Sequence, residues 1–343
     1  MEQVLNTLYI TTQGAYAHLD HDTIRVEIER ETQLRMPLLH LSGLTCFGNV
    51  LLSPALMHRC AQDGLAVVLL DANGRFKGRL AGPTSGNVLL RRAQHQALDD
   101  PARVIAVARG CVAGKLQNSR QILLRAAREA AAPEDAEPLA AAATRLGQSL
   151  RRLRGCKTLE QLRGHEGDGA RMYFQVFNRM IRVSHTEFRF TGRVRRPPVG
   201  RTNALLSFLY ALVLNDCVAA LEGVGLDPQV GYLHTLRPGR PALALDLMEE
   251  LRGYVADRLT LTLINRQQLR ADDFDILPGG AARMTDTGRR KVIVAYQERK
   301  RDVVNHPYLE RKLPLALVPH VQARLLARHL RGDLDAYPPF LAR

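Results

Sequence analysis

The periodicity of the apolar residues changes near Gly82-Pro83-Thr84-Ser85-Gly86-Asn87, and that change constrains the fold more than any other feature of the chain. Ahead of it the pattern is strand-like. Thr23-Ile24-Arg25-Val26-Glu27-Ile28-Glu29 alternates apolar and polar with period two, Leu65 to Leu70 is a short apolar run, and Ala72-Asn73-Gly74 makes a hairpin-type turn into residues 75–80. Ser53-Pro54 places an N-cap before a proline at the first helical position, which predicts one short helix, Ala55 to Gln62, among these strands. Behind the change, stretches rich in Ala, Leu and Arg at 88–99, 101–130 and 139–154 are helical, broken at Asp100-Pro101 and across 132–138. Further helices are expected near 158–163, 168–183, 202–222 and 242–258, with Phe188 to Gly200 and Asp272 to Gly280 as loops. The expected class is α+β, a small N-terminal β-rich domain over 1–86 followed by a larger, mainly α-helical domain over 87–343.

The 343 residues, 46% of them hydrophobic, can bury a large core and favour two domains. No window holds the roughly eighteen uninterrupted apolar residues of a membrane span, and Glu2 and Gln3 open the chain where a signal sequence would be basic and then apolar. A cytoplasmic protein with no membrane partner is therefore expected. The five cysteines (Cys46, Cys60, Cys111, Cys156, Cys217) are widely spread and never form a C-x-x-C pair, so buried thiols are expected instead of disulfides or a zinc site. The net charge is +14, but residues 1–86 hold 7 Lys/Arg against 8 Asp/Glu, a balance of −1 that leaves +15 for the remainder. A G+C-rich genome inflates the arginine count, yet it would not spare the first quarter of the chain, so a nucleic acid facing the C-terminal part is the better reading.

That basic half contains an acidic exception. Asp246 and Glu249 stand at i and i+3 and share a helix face, which Leu243, Ala244 and Leu245 would bury near His234. Buried carboxylates beside an imidazole need a cation, and one divalent metal in a basic protein suggests phosphodiester chemistry. Glu166 adds a third acid, flanked by glycines and expected at the entrance of an amphipathic helix whose inner face carries Tyr173, Phe174, Val176 and Phe177; taken alone it reads as a first-turn acid favoured by the helix dipole. A lone histidine after Gly-Tyr-Leu is ordinarily structural, and only the acids around His234 reverse that reading. His165 should point away if Glu166 points inward. Two basic segments are the expected phosphate contacts: Arg189, Arg193, Arg195, Arg196 and Arg201 on or beside a Pro/Gly loop, and Arg289, Arg290 and Lys291 ahead of a β-like Val292-Ile293-Val294 and then Arg299-Lys300-Arg301. Arg171 is a further candidate DNA contact.

Four segments together resemble the CRISPR-associated integrase family, the larger subunit of the spacer-acquisition machinery. They are Gly164-His165-Glu166-Gly167-Asp168-Gly169-Ala170-Arg171, Gly225-Leu226-Asp227-Pro228-Gln229-Val230-Gly231-Tyr232-Leu233-His234, Arg240-Pro241-Ala242-Leu243-Ala244-Leu245-Asp246-Leu247-Met248-Glu249, and Met284-Thr285-Asp286-Thr287-Gly288-Arg289-Arg290-Lys291. Their order carries the specificity, and the resemblance runs end to end. It implies a β domain for dimerisation and a helical domain carrying the active site. By position in the motifs, the family's metal ligands fall on Glu166, His234 and Glu249, with Asp246 as the neighbouring acid. Many members have Asp where this chain has Glu249, so which of Glu249 and Asp246 bonds the metal stays open. The resemblance further implies Mg²⁺ or Mn²⁺, double-stranded and branched DNA as substrate, and the 3′-hydroxyl of an incoming DNA fragment as nucleophile at the repeat beside the leader of a CRISPR array. It also implies a homodimer and a small companion Cas protein that bridges two dimers. The tail Tyr337-Pro338-Pro339-Phe340-Leu341 and the central motifs resemble the subtype I-C branch; by itself the tail reads as an extended docking segment or a capped terminus. Two other classes fit parts of the pattern, a non-catalytic DNA-binding scaffold and a metallohydrolase of small phosphoesters. The second is disfavoured by 5% aromatic content and no Trp to wall a small-molecule pocket.

Overall fold

The computed structural model describes residues 6–72, 74, 76–80, 82, 88–183 and 186–342. The expected turn at 83–87, and Asn73 and Arg75 of the expected hairpin, lie outside the described residues.

The N-terminal part holds eight strands: β1 (Asn6–Ile10), β2 (Tyr16–Asp20), β3 (Thr23–Ile28), β4 (Glu31–Pro37), β5 (Leu41–Phe47), β6 (Leu51–Leu52), β7 (Ala66–Leu70) and β8 (Phe76–Leu80). They form two four-stranded sheets, ordered β1-β5-β7-β8 and β4-β3-β2-β6. In the first sheet β1 and β5 are parallel, as are β5 and β7, with Leu44 opposite Val67. The helix α1 (Pro54–Gln62) starts where expected, the Ser53 hydroxyl accepting from the Leu56 amide at 3.2 Å. Alternation along these strands divides their side chains between two cores. Ile10, Leu44 and Val67 join Ala17, Ile24 and Leu56 in an N-terminal cluster, whereas Phe47 and Leu70 belong to the large cluster of the helical part. Phe47 meets Phe208 there, ring centroids 5.8 Å apart.

The helical part comprises α2 (Val88–Gln96), α3 (Pro101–Arg128), α4 (Pro133–Arg152), α5 (Leu159–Gln175), α6 (Arg201–Val224), α7 (Ala242–Arg252), α8 (Arg258–Asn265), α9 (Asp286–Arg301) and α10 (Val318–Arg331). A π-helical turn, Gly253–Asp257, joins α7 to α8. Local chemistry sets the starts. The Asp100 carboxylate caps α3 by accepting from Ala102 N at 2.9 Å, ahead of Pro101 at the first helical position, and Thr158 and Gln161 form a capping box on α5. By length and composition α6 could cross a membrane, but it is packed in the core against α7 and α10 and buries Leu205, Leu206, Leu209, Leu212 and Leu221. All five cysteines are free and buried, as expected.

Four local expectations are corrected. The helices expected at 158–163 and 168–183 are one helix, α5, which places Glu166 at mid-helix and not at an entrance. Each interior glycine costs about 1 kcal/mol relative to alanine, too little to break a helix whose Leu162, Gly169 and Tyr173 pack inward. Val292-Ile293-Val294 is not a strand but the middle of α9, because Val292, Ile293 and Tyr296 fall on one buried helical face behind a Thr285 cap. Within the expected loop at 272–280, β9 (Phe274–Ile276) pairs with β10 (Ala282–Met284). Finally, 132–138 is not a break throughout, since Pro133 opens α4 and Pro138 lies inside it. A last hairpin, β11 (Val303–His306) with β12 (Arg311–Pro314), precedes α10.

Candidate active site

The site gathers around α7, on which Asp246, Glu249, Glu250 and Arg252 are all buried. Asp246 faces the end of the α6–α7 loop. Its Oδ2 accepts from Tyr232 N at 2.6 Å and Leu233 N at 2.9 Å; its Oδ1 accepts from His234 N at 2.9 Å and lies 2.7 Å from His234 Nδ1. A carboxylate held by four donors has nothing left for another ligand. It fixes the imidazole with Nδ1–H toward Asp246 and Nε2 free, the arrangement that prepares a histidine for metal ligation. The free Nε2 stands 3.8 Å from Glu249 Oε1.

Glu249 is buried among cations. Its Oε2 is 2.8 Å from Lys115 Nζ, and its Oε1 is paired with Arg252 Nη2. Burial alone would raise its pKa, but Arg252, then Lys115 and His234, override that penalty and hold the carboxyl well below the ordinary carboxylate range. Lys115 also donates to Glu166 Oε1, so its ammonium joins α5 to α7. Close helix packing puts it there. A Cβ on Gly169 would overlap Leu116 of α3, and one on Gly114 would stand 2.8 Å from Glu250 Cγ. Glu166 and His234 keep 28% and 21% of their side-chain surface accessible against 2% for Glu249, so the site opens to solvent on the Glu166 and His234 side.

Supports come from further away. Arg163, one turn before Glu166, donates from Nε to the Leu233 carbonyl at 2.8 Å. Gln94 of α2 is wholly buried and holds the same loop, its Nε2 donating to Asp227 O at 2.9 Å and its Oε1 accepting from Asp227 N at 2.9 Å; the Tyr232 hydroxyl donates to Gln94 O at 3.0 Å. Sequence reasoning missed Lys115, Arg163, Gln94 and Arg252. Lys115 alone carries a readable signal, an ionisable residue on the buried stripe of α3 between Cys111, Val112 and Leu116. His165 turns to the Ser149 hydroxyl at 2.9 Å, away from the acids, as expected.

One imidazole nitrogen held by a carboxylate, with two further carboxylates beside it, is donor chemistry that fits Mg²⁺ or Mn²⁺. Among the described residues no three His, Cys, Asp or Glu side chains close on one metal-sized point. Between Glu166 and Glu249 the Lys115 ammonium takes that place.

The basic residues divide into two groups. Arg189, Arg195, Arg196 and Arg290 are exposed, and Arg171, exposed on α5 beyond Glu166, pairs with Asp168 at 2.9 Å. Lys291, also exposed, reaches both oxygens of Asp273 at 2.8 Å. Arg193 and Arg289 depart from the expected exposure. Arg193 donates to Asn203 Oδ1 and Ser207 Oγ, each at 3.0 Å, and lies over the Tyr210 ring, while Arg289 is 3% exposed with its guanidinium on Asp286. Both guanidinium groups are engaged within the fold in this conformation.

Residues 8–298 match the family described as CRISPR associated protein Cas1. The chain is 54% identical to CRISPR-associated endonuclease Cas1 1 of Moorella thermoacetica over 100% of both chains. It is 50% identical to CRISPR-associated endonuclease Cas1 2 of Rhodospirillum rubrum over 99% of each. Among solved structures, a Cas1 protein from Thermotoga maritima superimposes with a TM-score of 0.81 at 22% identity, over 95% of this chain and 97% of that one. A casposase bound to integration product gives 0.83 at 22% identity, over 97% and 93%. At that identity the two structures speak for the fold. The full-length sequence matches speak for more: the chain belongs to the Cas1 family of CRISPR-associated endonucleases.

Proposed function

We propose that this Cas1 protein is a divalent-metal-dependent DNA endonuclease and integrase, which inserts short DNA fragments as new spacers into a CRISPR array with a DNA 3′-hydroxyl as nucleophile. The observation that carries this reading is the cluster formed by Glu166 of α5 and Glu249 of α7, joined through Lys115, with His234 Nε2 3.8 Å from Glu249 and its ring fixed by Asp246. His234 Nε2, Glu249 and Glu166 would hold the ion. Asp246 acts one step back, as the group that orients His234. When bound, Mg²⁺ or Mn²⁺ neutralises charge developing on the scissile phosphate. Arg252 keeps Glu249 ionised and aimed, and Arg163 and Gln94 hold the loop that presents His234. The exposed Arg171, Arg189, Arg195, Arg196 and Arg290 bind phosphates of double-stranded and branched DNA in the cytoplasm; water in place of the 3′-hydroxyl gives plain endonuclease cleavage. Residues 1–86 form the dimerisation domain, residues 87–343 the catalytic and DNA-binding domain, and a small companion Cas protein bridges two homodimers.

The test incubates the wild type with a branched DNA mimicking a half-integrated fragment, with Mn²⁺, Mg²⁺ or chelator, and scores strand transfer and nicking while DNA binding is followed separately. Metal-dependent transfer and nicking are expected. Binding without any chemistry would leave the protein a DNA-binding scaffold.

A further inference from the structure

Lys115 is a buried lysine, 8% exposed, in the middle of the apolar stripe of α3. An ammonium withdrawn from water must be repaid by charge partners, and among the described residues the carboxylates paired with this one are Glu166 and Glu249. The backbone that carries it is fixed, because Gly114 and Gly169 let α3 lie directly on α7 and α5. The side chain is not fixed, being a point charge on a flexible four-carbon stem that can leave its partners without any helix moving. Arg252, in contrast, holds Glu249 through a planar group stacked over Tyr210, 4.9 Å from the ring centroid.

We propose that Lys115 is a built-in counter-cation, which neutralises Glu166 and Glu249 while no metal is bound and which a divalent ion must displace. This rests on the reading of Glu166, His234 and Glu249 as the metal ligands. The displaced ammonium needs another anion, and the nearest class of anion for an open site on a DNA-binding protein is a backbone phosphate. Lys115 therefore couples metal uptake to DNA: bound DNA draws the ammonium off the carboxylates and tightens metal binding, and by reciprocity the metal tightens DNA binding. Without DNA the same lysine keeps the site weakly loaded and the nuclease quiet.

Mn²⁺ binding, followed through the electron paramagnetic resonance signal of the free ion, tests this on the full chain with and without branched DNA. Lys115→Met is expected to bind Mn²⁺ about tenfold tighter than wild type in the absence of DNA, to melt at a lower temperature without metal, and to lose the tightening that DNA produces in the wild type. Lys115→Arg, which keeps the charge, should stay near the wild type, and Lys115→Gln replaces the Met variant if that one does not fold. Mn²⁺ affinity in the neutral variant equal to or weaker than wild type would overturn the counter-cation role. His234→Ala separates the two ideas. If it binds Mn²⁺ as well as wild type, the metal-site reading itself fails; if it loses Mn²⁺ while Lys115→Met behaves as wild type, only the lysine's role fails.

Discussion

Glu249 and Glu250 are consecutive residues of one helix, both fully buried, and they face opposite electrostatic worlds. Glu249 turns toward Arg252, Lys115 and His234, and its carboxyl is held far down in the ionised range. Glu250 turns toward the C-terminal tail. It accepts from the Tyr337 hydroxyl at 2.6 Å, Phe340 N at 2.7 Å and Gln322 Nε2 at 2.9 Å, and burial outweighs these neutral donors and pushes it up to about 8. Depth of burial is the same for both, so burial does not decide the charge state; the presence of a cation within reach does. The tail that was open to two readings is thus a strap, closed by Asn118, which donates to Phe340 O and accepts from Ala342 N at 2.8 Å each. One side of α7 is arranged to hold a charge and the other to hold the chain end.

The sharpest way to break this comparison is to neutralise each acid in turn. Glu249→Gln is expected to lower strand transfer by about 10²–10³-fold, while Glu250→Gln leaves it within a few-fold, both measured under single-turnover conditions. Equal losses would mean that the two faces of α7 do not divide the work. Asp246→Asn comes next: metal affinity should fall by about 10–100-fold with the fold retained, because His234 loses its orienting charge but not all of its hydrogen bonds. Titration calorimetry with Mn²⁺ reads this directly.

The pH dependence sharpens the Glu250 half. Its folded pKa lies above the unfolded value of 4.5, so between that value and about 8 the folded state keeps a proton that the unfolded state has released. Stability contributed by protonated Glu250 is therefore full below 4.5, falls as pH rises, and is gone above 8. From pH 6 to 7.5 the wild type should lose about 2 kcal/mol of unfolding free energy, and Glu250→Gln should remove most of that slope in urea titrations at each pH. A slope unchanged by the substitution would assign the effect elsewhere. The smallest expected difference lies at the metal itself: with an imidazole beside oxygen donors, Mn²⁺ should support a few-fold faster strand transfer than Mg²⁺ at matched concentration, and parity would count against His234 as a ligand.

Much of the fold was legible because period two and period 3.6 are local properties of the chain: β1 to β8 lie ahead of 83–87, α2 to α10 lie after it, and among the described residues α1 and two short hairpins cross that division. Spacing and apolar flanks made the pairing of His234 with the α7 acids legible, but the part of Glu166 was legible only through the resemblance of four motifs in order. Spacing could not separate Asp246 from Glu249, since both sit on one face of α7; what separates them is that the amides of Tyr232, Leu233 and His234 all point at Asp246. Lys115 meets Glu166 across 51 residues, and Gln94 meets Asp227 across 133, distances over which no pattern in the sequence reports a contact. Arg193 and Arg289 show the same limit from the other side. A run of arginines reveals net charge, but a single Asn203 or Asp286 decides which guanidinium is spent within the fold.

His234→Ala on the branched DNA substrate tests the central claim most directly, with Mn²⁺ present and DNA binding measured in parallel by anisotropy. Strand transfer and nicking lost by at least about a hundredfold, with DNA affinity unchanged, is the predicted result. A variant that joins and nicks as the wild type does would contradict it, and would remove His234, Glu166 and Glu249 from the chemistry together.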